Sequence, residues 1–181
     1  TNPKAIHPFL IWNFLWRAGA SIVHNHAQIL LTHRPYTTPA RIEKTREQYR
    51  CRYGSEYYDD LFAAHTAIGL GLVYKNARVM AHLTPRKEHE VMIIAKLPHD
   101  LAPALAKVLE SYRNMGVQSY NAAVYMPPLE EQGYHVAWVV DRGDLQSRTS
   151  DIGGMELYAG TPVVASDPFR LMEHLAAVMQ P

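Results

Sequence analysis

Cysteine is nearly missing from this sequence, with one residue, Cys51, in 181. One thiol forms no intrachain disulfide and by itself builds no zinc site, so a reducing, cytoplasmic compartment is the expectation. A charge bias is missing as well. Eighteen Lys and Arg stand against seventeen Asp and Glu, for a formal net charge of +1, which leaves no strong electrostatic hold on nucleic acid or an anionic membrane. No apolar run approaches the roughly 20 residues of a bilayer-crossing helix, and no signal or transit peptide is visible. Low-complexity segments and repeats detectable by identity are also lacking. With 48% apolar and 19% charged residues, the composition is that of one globular domain and excludes a disordered or fibrous chain. The chain opens on Thr1 rather than Met and turns apolar at Ile6, so its N-terminus reads as a cut.

Histidine is what the sequence has in excess, with ten residues. Imidazole suits metal binding, proton transfer and nucleophilic attack near neutral pH, so the histidines are the first place to look for chemistry. Most have bland readings. His65, for instance, sits on the apolar face of a helical pattern, where a hydrogen-bonded core histidine is expected.

Periodicity organises the rest. Residues 9–15 and 20–32 read as two strands of a hairpin, rich in β-branched and aromatic side chains, with Gly19 in the turn. Helical spacing follows over 39–68, broken at Gly54, and its alternating Arg, Lys and Glu read as a solvated face. Strands are expected over 72–74, 78–83 and 90–95. A helix over 99–114 follows, then strands over 119–125 and 134–140, and a closing helix capped by Ser166 or Asp167 with Pro168 at its first position. This order describes an α+β fold, an antiparallel sheet with packed helices.

The segment most informative about chemistry runs from Gly19 to Leu30. In a strand, alternate side chains share a face, so His24, His26 and Gln28 point one way and Val23, Ala27 and Ile29 the other. Burying two imidazoles and an amide on a strand this apolar is costly unless they are hydrogen-bonded, which a purely structural strand would avoid.

At these residues the sequence resembles a known family. Asn13, Gly19, Ser21, His24, His26 and Gln28 stand in the spacing of the active-site strand of galactose-1-phosphate uridylyltransferases, in the histidine-triad superfamily. Weaker matches continue through 91–95, Glu130-Glu131 before Tyr134, and Gly154-Met155-Glu156. The resemblance implies a histidine-triad-like fold with an incomplete N-terminal repeat: residues 1–33 as a remnant of the first repeat, 34–70 as a helical connection, and 71–181 as the second repeat and tail. It implies a nucleotidyltransferase of nucleotide-sugar and galactose metabolism, moving a nucleoside monophosphate between a nucleoside diphosphate sugar and a sugar 1-phosphate. His26 would carry the covalent nucleotidyl intermediate, with Gln28 as the second catalytic residue. Asn13, Gly19, Ser21 and Glu156 would bind substrate, and His24 would support the strand or hold a metal. A homo-oligomer is implied, with no nucleic-acid or membrane partner.

Some positions depart from the family pattern. Any zinc ion would need ligands outside this chain. Tyr125, Trp138 and Val140 occupy the positions of the second repeat's metal-associated histidines, and Pro162 stands where a sugar-binding Gln is expected, which argues against galactose. His33 and Arg34, next to the active strand, are expected to add positive charge on the phosphate side. The alternative reading is a non-catalytic, degenerate member that binds a nucleotide or serves as an assembly subunit.

Overall fold

The computed structural model describes residues 4–22 and 24–180; Val23, assigned above to the face opposite His24 and His26, lies outside the described residues. Among the described residues, seven strands form one antiparallel sheet. They are β1 (His7–Phe14), β2 (Ala27–Thr32), β3 (Gly71–Tyr74), β4 (Ala77–Ala81), β5 (Val91–Ala95), β6 (Tyr120–Tyr125) and β7 (His135–Asp141), in the spatial order β2-β1-β6-β7-β5-β4-β3. The main helices are α1 (Thr37–Tyr53), α2 (Tyr57–Ala67), α3 (Pro98–Asn114) and α4 (Pro168–Val178). The α+β arrangement expected from the sequence is present.

Period-2 alternation sorts the central strands into two packed layers. Val79, Ala81, Val91, Ile93, Ala137 and Val139 face α3 and α4 and meet Leu101, Val108, Leu171 and Leu175. Met80, Met92, Ile94, Val136 and Trp138 face the other way, against Ile42 of α1 and Tyr58, Leu61 and Phe62 of α2. β5 is buried on both faces because helices cover both. Gly54 ends α1 in the left-handed region at φ 71°, with its N–H donating to the Arg50 carbonyl, which places the helix break where the glycine predicts it. Asp167 caps α4, its carboxylate accepting from the Phe169 N–H at 2.9 Å.

The first hairpin departs from expectation. β1 and β2 pair as foreseen, from His7 opposite Thr32 to Trp12 opposite Ala27, yet the second strand starts at Ala27 rather than residue 20. Among the described residues, 15–22 and 24–26 belong to no strand and include one tight helical turn, Trp16–Ala18. The extended backbone is interrupted by positive φ at Leu15 (66°) and Gly19 (83°). At Gly19 the conformation alone requires glycine, since a Cβ there would meet nothing within 4 Å. Leu15 occupies a region that is costly for a side-chain-bearing residue, of order 1–3 kcal/mol, and its carbonyl accepts from the N–H groups of both Ala18 and Ala20. Nor is β2 buried. It is the edge strand, and residues 27–31 are exposed, Ile29 at 70%. The cost of burying polar side chains on this strand therefore does not arise.

Candidate active site

Residues opposite one another in an antiparallel pair share a face. Gln28 lies opposite Ile11, so it joins the face of β1 that carries Ile11 and Asn13. The loop after β1 folds back over that face. A polar cavity of about 230 Å³ results, lined by Ile11, Asn13, Gly19, Ala20, Ser21, His26 and Gln28. Five of the seven residues that the resemblance assigns to the site thus meet in one place, through 15 positions of chain and a strand pairing. The cavity is smaller than the roughly 300–1,000 Å³ that encloses a whole small ligand, so it suits the charged portion of a larger one.

His26 precedes β2 rather than standing within it, and its orientation has a local cause. Its Nδ1 lies 3.2 Å from the carbonyl oxygen of His24. A carbonyl only accepts, so Nδ1 carries the proton and donates it, and in the neutral ring the lone pair resides on Nε2. His24 contributes to the site through its backbone. Its imidazole is exposed, tilted 46° to that of His26 with ring centres 5.3 Å apart, and is absent from the cavity lining. Among the described residues no group of three His, Cys, Asp or Glu side chains is placed to hold a metal ion, so those present do not fit the zinc that the resemblance associates with His24.

Glu156 also stands apart from the cavity. Its Oε1 pairs with Lys87 Nζ at 3.0 Å and its Oε2 accepts from the Gly153 N–H at 2.9 Å. The hydrogen bond from Lys87, followed by that from Gly153, holds the carboxyl below the usual carboxylate range. His33 and Arg34 lie beyond the far end of β2, about 20 Å along the strand at 3.3 Å per residue, and neither lines the cavity; the expected phosphate-side charge is not supplied by them.

Behind the cavity lies a polar network that sequence reading missed. Asn121 of β6, opposite Asn13 in the sheet register, directs Nδ2 to Asn13 Oδ1 at 2.7 Å and to the Ala18 carbonyl at 2.9 Å. Arg142 donates from Nη1 to Asn121 Oδ1. The same guanidinium grips Asp151 in bidentate fashion, Nε to Oδ2 at 2.5 Å and Nη2 to Oδ1 at 3.1 Å. Arg142 thereby lowers the Asp151 pKa below the ordinary carboxylate value. One signal was available: Asn121 is the single polar residue in the strand Tyr-Asn-Ala-Ala-Val-Tyr. Its partners lie 108 and 21 residues away, out of reach of any local pattern.

His65 is buried, with Nδ1–H donating to the Leu61 carbonyl at 2.8 Å and Nε2 accepting from the Leu83 N–H at 3.2 Å, the hydrogen-bonded core histidine that its helical position predicts. A larger cavity of about 730 Å³ opens beside α1, where Arg46 lies over Tyr58 and Lys96 over Tyr134. None of the residues expected to carry the chemistry lines it.

No protein-family model matches the chain, and no curated protein does. Among solved structures, the chain is similar to a uridylyltransferase at TM-score 0.80 and 18% identity, covering 98% of this chain and 62% of that one. It is also similar to an ADP-glucose phosphorylase from Arabidopsis thaliana with bound ADP-glucose, at TM-score 0.72 and 17% identity over 94% of this chain and 58% of that one. A GalT-like protein from the same plant gives TM-score 0.71 and 18% identity, covering 94% and 60%. The chain spans about 60% of the length of these structures. No helix among the described residues is long and apolar enough to cross a membrane. The chain thus has the fold of the uridylyltransferase and GalT-like structures.

Proposed function

We propose that this chain carries the covalent site of a nucleotidyltransferase acting on a nucleoside diphosphate sugar. His26 Nε2 attacks the α-phosphorus, an N–P bond forms, the α-phosphorus–oxygen bond to the β-phosphate breaks, and a sugar 1-phosphate leaves with the bonding electrons. The Nδ1 proton stays on the ring throughout, held by the His24 carbonyl, which stabilises the positive charge that develops on the imidazole. A second acceptor, a sugar 1-phosphate or inorganic phosphate, then attacks the nucleotidyl-histidine and restores the free ring. Gln28, Ser21 and Asn13 supply hydrogen-bond donors for the phosphate oxygens, because phosphoryl-type transfer depends chiefly on positioning and charge stabilisation.

The observation that carries this reading is the convergence of His26, Gln28, Ser21, Gly19 and Asn13 on one small polar cavity, with the lone pair of His26 assigned to Nε2. The solved structures of like fold support the reaction class. The test is incubation with UDP-glucose and ADP-glucose labelled at the α-phosphate, followed by denaturation. Acid-labile label on the parent and none on His26→Ala is the expected result; equal labelling of the two, or none on the parent, overturns it.

A second reading is favoured by the size of the cavity and by the engagement of Glu156 with Lys87. In it the chain binds the phosphates of a nucleotide without turnover and serves as an assembly subunit. Tight nucleotide binding with no trapped label would select it.

A further inference from the structure

We propose that Asn121, Arg142 and Asp151 are positioning residues that lock the amide of Asn13 into one of its two orientations, with its NH2 group available to the cavity as a dedicated phosphate donor. The inference rests on the reading of that cavity as a phosphate site. It follows from donor and acceptor identity along the network. A guanidinium only donates, so the Asn121 atom facing Arg142 is its oxygen. A carbonyl only accepts, so the Asn121 atom facing Ala18 is its nitrogen. That same nitrogen faces Asn13 at 2.7 Å, so the Asn13 atom turned toward it is Oδ1. The amide nitrogen of Asn13 is then on the side away from Asn121, in a residue that lines the cavity with His26 and Gln28.

An unassisted asparagine can turn either end of its amide toward a ligand, and the wrong end presents a partial negative charge to a phosphate. Here the flip would place NH2 against NH2 at Asn121. Asn121 cannot flip in compensation, because its oxygen would then meet the Ala18 carbonyl and its nitrogen would meet Arg142. Arg142 in turn is fixed by both oxygens of Asp151, and the Asp151 carbonyl accepts from Lys87, which also holds Glu156. The chain of contacts runs from the loop around Asp151 to the floor of the cavity, so the tail sets the hydrogen-bonding sense of a residue on β1.

Asn121→Asp tests this with almost no change of shape. The carboxylate still accepts from Arg142 but has nothing to donate, so the bond to the Ala18 carbonyl is lost in both Asn13 backgrounds, and where Asn13 is present its amide turns its NH2 toward residue 121 and its oxygen toward the cavity. Inorganic pyrophosphate is the probe, titrated calorimetrically into the full chain, for the parent, Asn121→Asp, Asn13→Ala and the double variant. The expected result is about 10- to 100-fold weaker binding in Asn121→Asp, with the effect shrinking to within about twofold in the Asn13→Ala background. An equal loss in both backgrounds, which would reflect the added negative charge alone, overturns the proposal, as does an unchanged affinity or a parent that does not bind pyrophosphate.

Asp151→Asn provides a second cycle that leaves both asparagines intact. It is expected to weaken pyrophosphate binding by about threefold, again only when Asn13 is present; a loss independent of Asn13 counts against the relay. The fate of the nucleotidyl-histidine separates this inference from the function proposed above. An adduct that forms at the parental rate in Asn121→Asp overturns the relay and leaves the function standing. No adduct in the parent, with both pyrophosphate cycles as expected, removes the function and leaves the relay.

Discussion

β5 and β2 are strands of similar composition, Val-Met-Ile-Ile-Ala and Ala-Gln-Ile-Leu-Leu-Thr, with opposite fates. β5 lies inside the sheet with helices on both faces, every residue buried. β2 is the outermost strand beside the cavity and is exposed along most of its length. Stability is concentrated around β4, β5 and β7, where two apolar layers meet. The candidate chemistry is placed at the open edge, where a strained Leu15, a left-handed Gly19 and a short loop bring polar groups together at little cost in core packing. The molecule thus separates what holds it together from what it offers a ligand.

Substitutions can break that separation. Ile93→Ala, at a fully buried position of β5, is expected to cost about 2–5 kcal/mol in chemical denaturation. A loss under 1 kcal/mol would mean that the double-layered core is not where stability resides. Glu90 comes next, buried before β5 and accepting from the Arg86 N–H at 2.6 Å and from Nε at 2.8 Å. Its replacement by Ala is expected to cost about 1–3 kcal/mol, since it strands donors of a partly exposed arginine.

A smaller, pH-dependent effect is expected at His82, which packs edge-on against Trp138 in the same region. Burial, partly offset by Glu90, pulls its pKa below the ordinary histidine value. A folded pKa below the unfolded one gives stability that is full above the unfolded value, about 6.5, and lost as pH falls through it toward the folded one. Urea midpoints should therefore decline between pH 7 and 5, and His82→Phe, which keeps the ring packing, should flatten that decline; an unchanged slope would exclude His82 as its source. Ile29→Ala at the exposed edge should sit at the bottom of the series, within about 0.5 kcal/mol of the parent. A loss comparable to that of Ile93→Ala would erase the contrast between the two strands.

The same contrast explains what the sequence disclosed. Gly54 after α1, the Asp167-Pro168 start of α4 and the apolar run of β5 are local signals with local causes, and each appears where it is expected. The His65 hydrogen bonds follow from one helical face. The start of β2 was misplaced because the β-branched residues before His24 look like strand, while the turn that interrupts them depends on backbone angles at Leu15 and Gly19. The exposure of β2 could not be read at all, since an edge strand and a central strand share a composition and differ only in neighbours. In the site, the motif spacing identified Asn13, Gly19, Ser21, His26 and Gln28, which do meet. The resemblance added Glu156 as a substrate-binding residue; its carboxylate pairs with Lys87 and does not line that cavity. Asn121 and Arg142 were invisible because only the pairing of β1 with β6 brings them behind Asn13.

The most direct test of the catalytic reading is where the nucleotide becomes attached. Peptide mass spectrometry on the parent chain, quenched during reaction with UDP-glucose or ADP-glucose and kept alkaline, should find one nucleoside monophosphate on the peptide containing His26. Fragmentation should assign it to that residue rather than His24, and nuclear magnetic resonance of the adduct should place phosphorus on Nε2. A nucleotide on His24, on Nδ1 of His26, or on no histidine would contradict the mechanism.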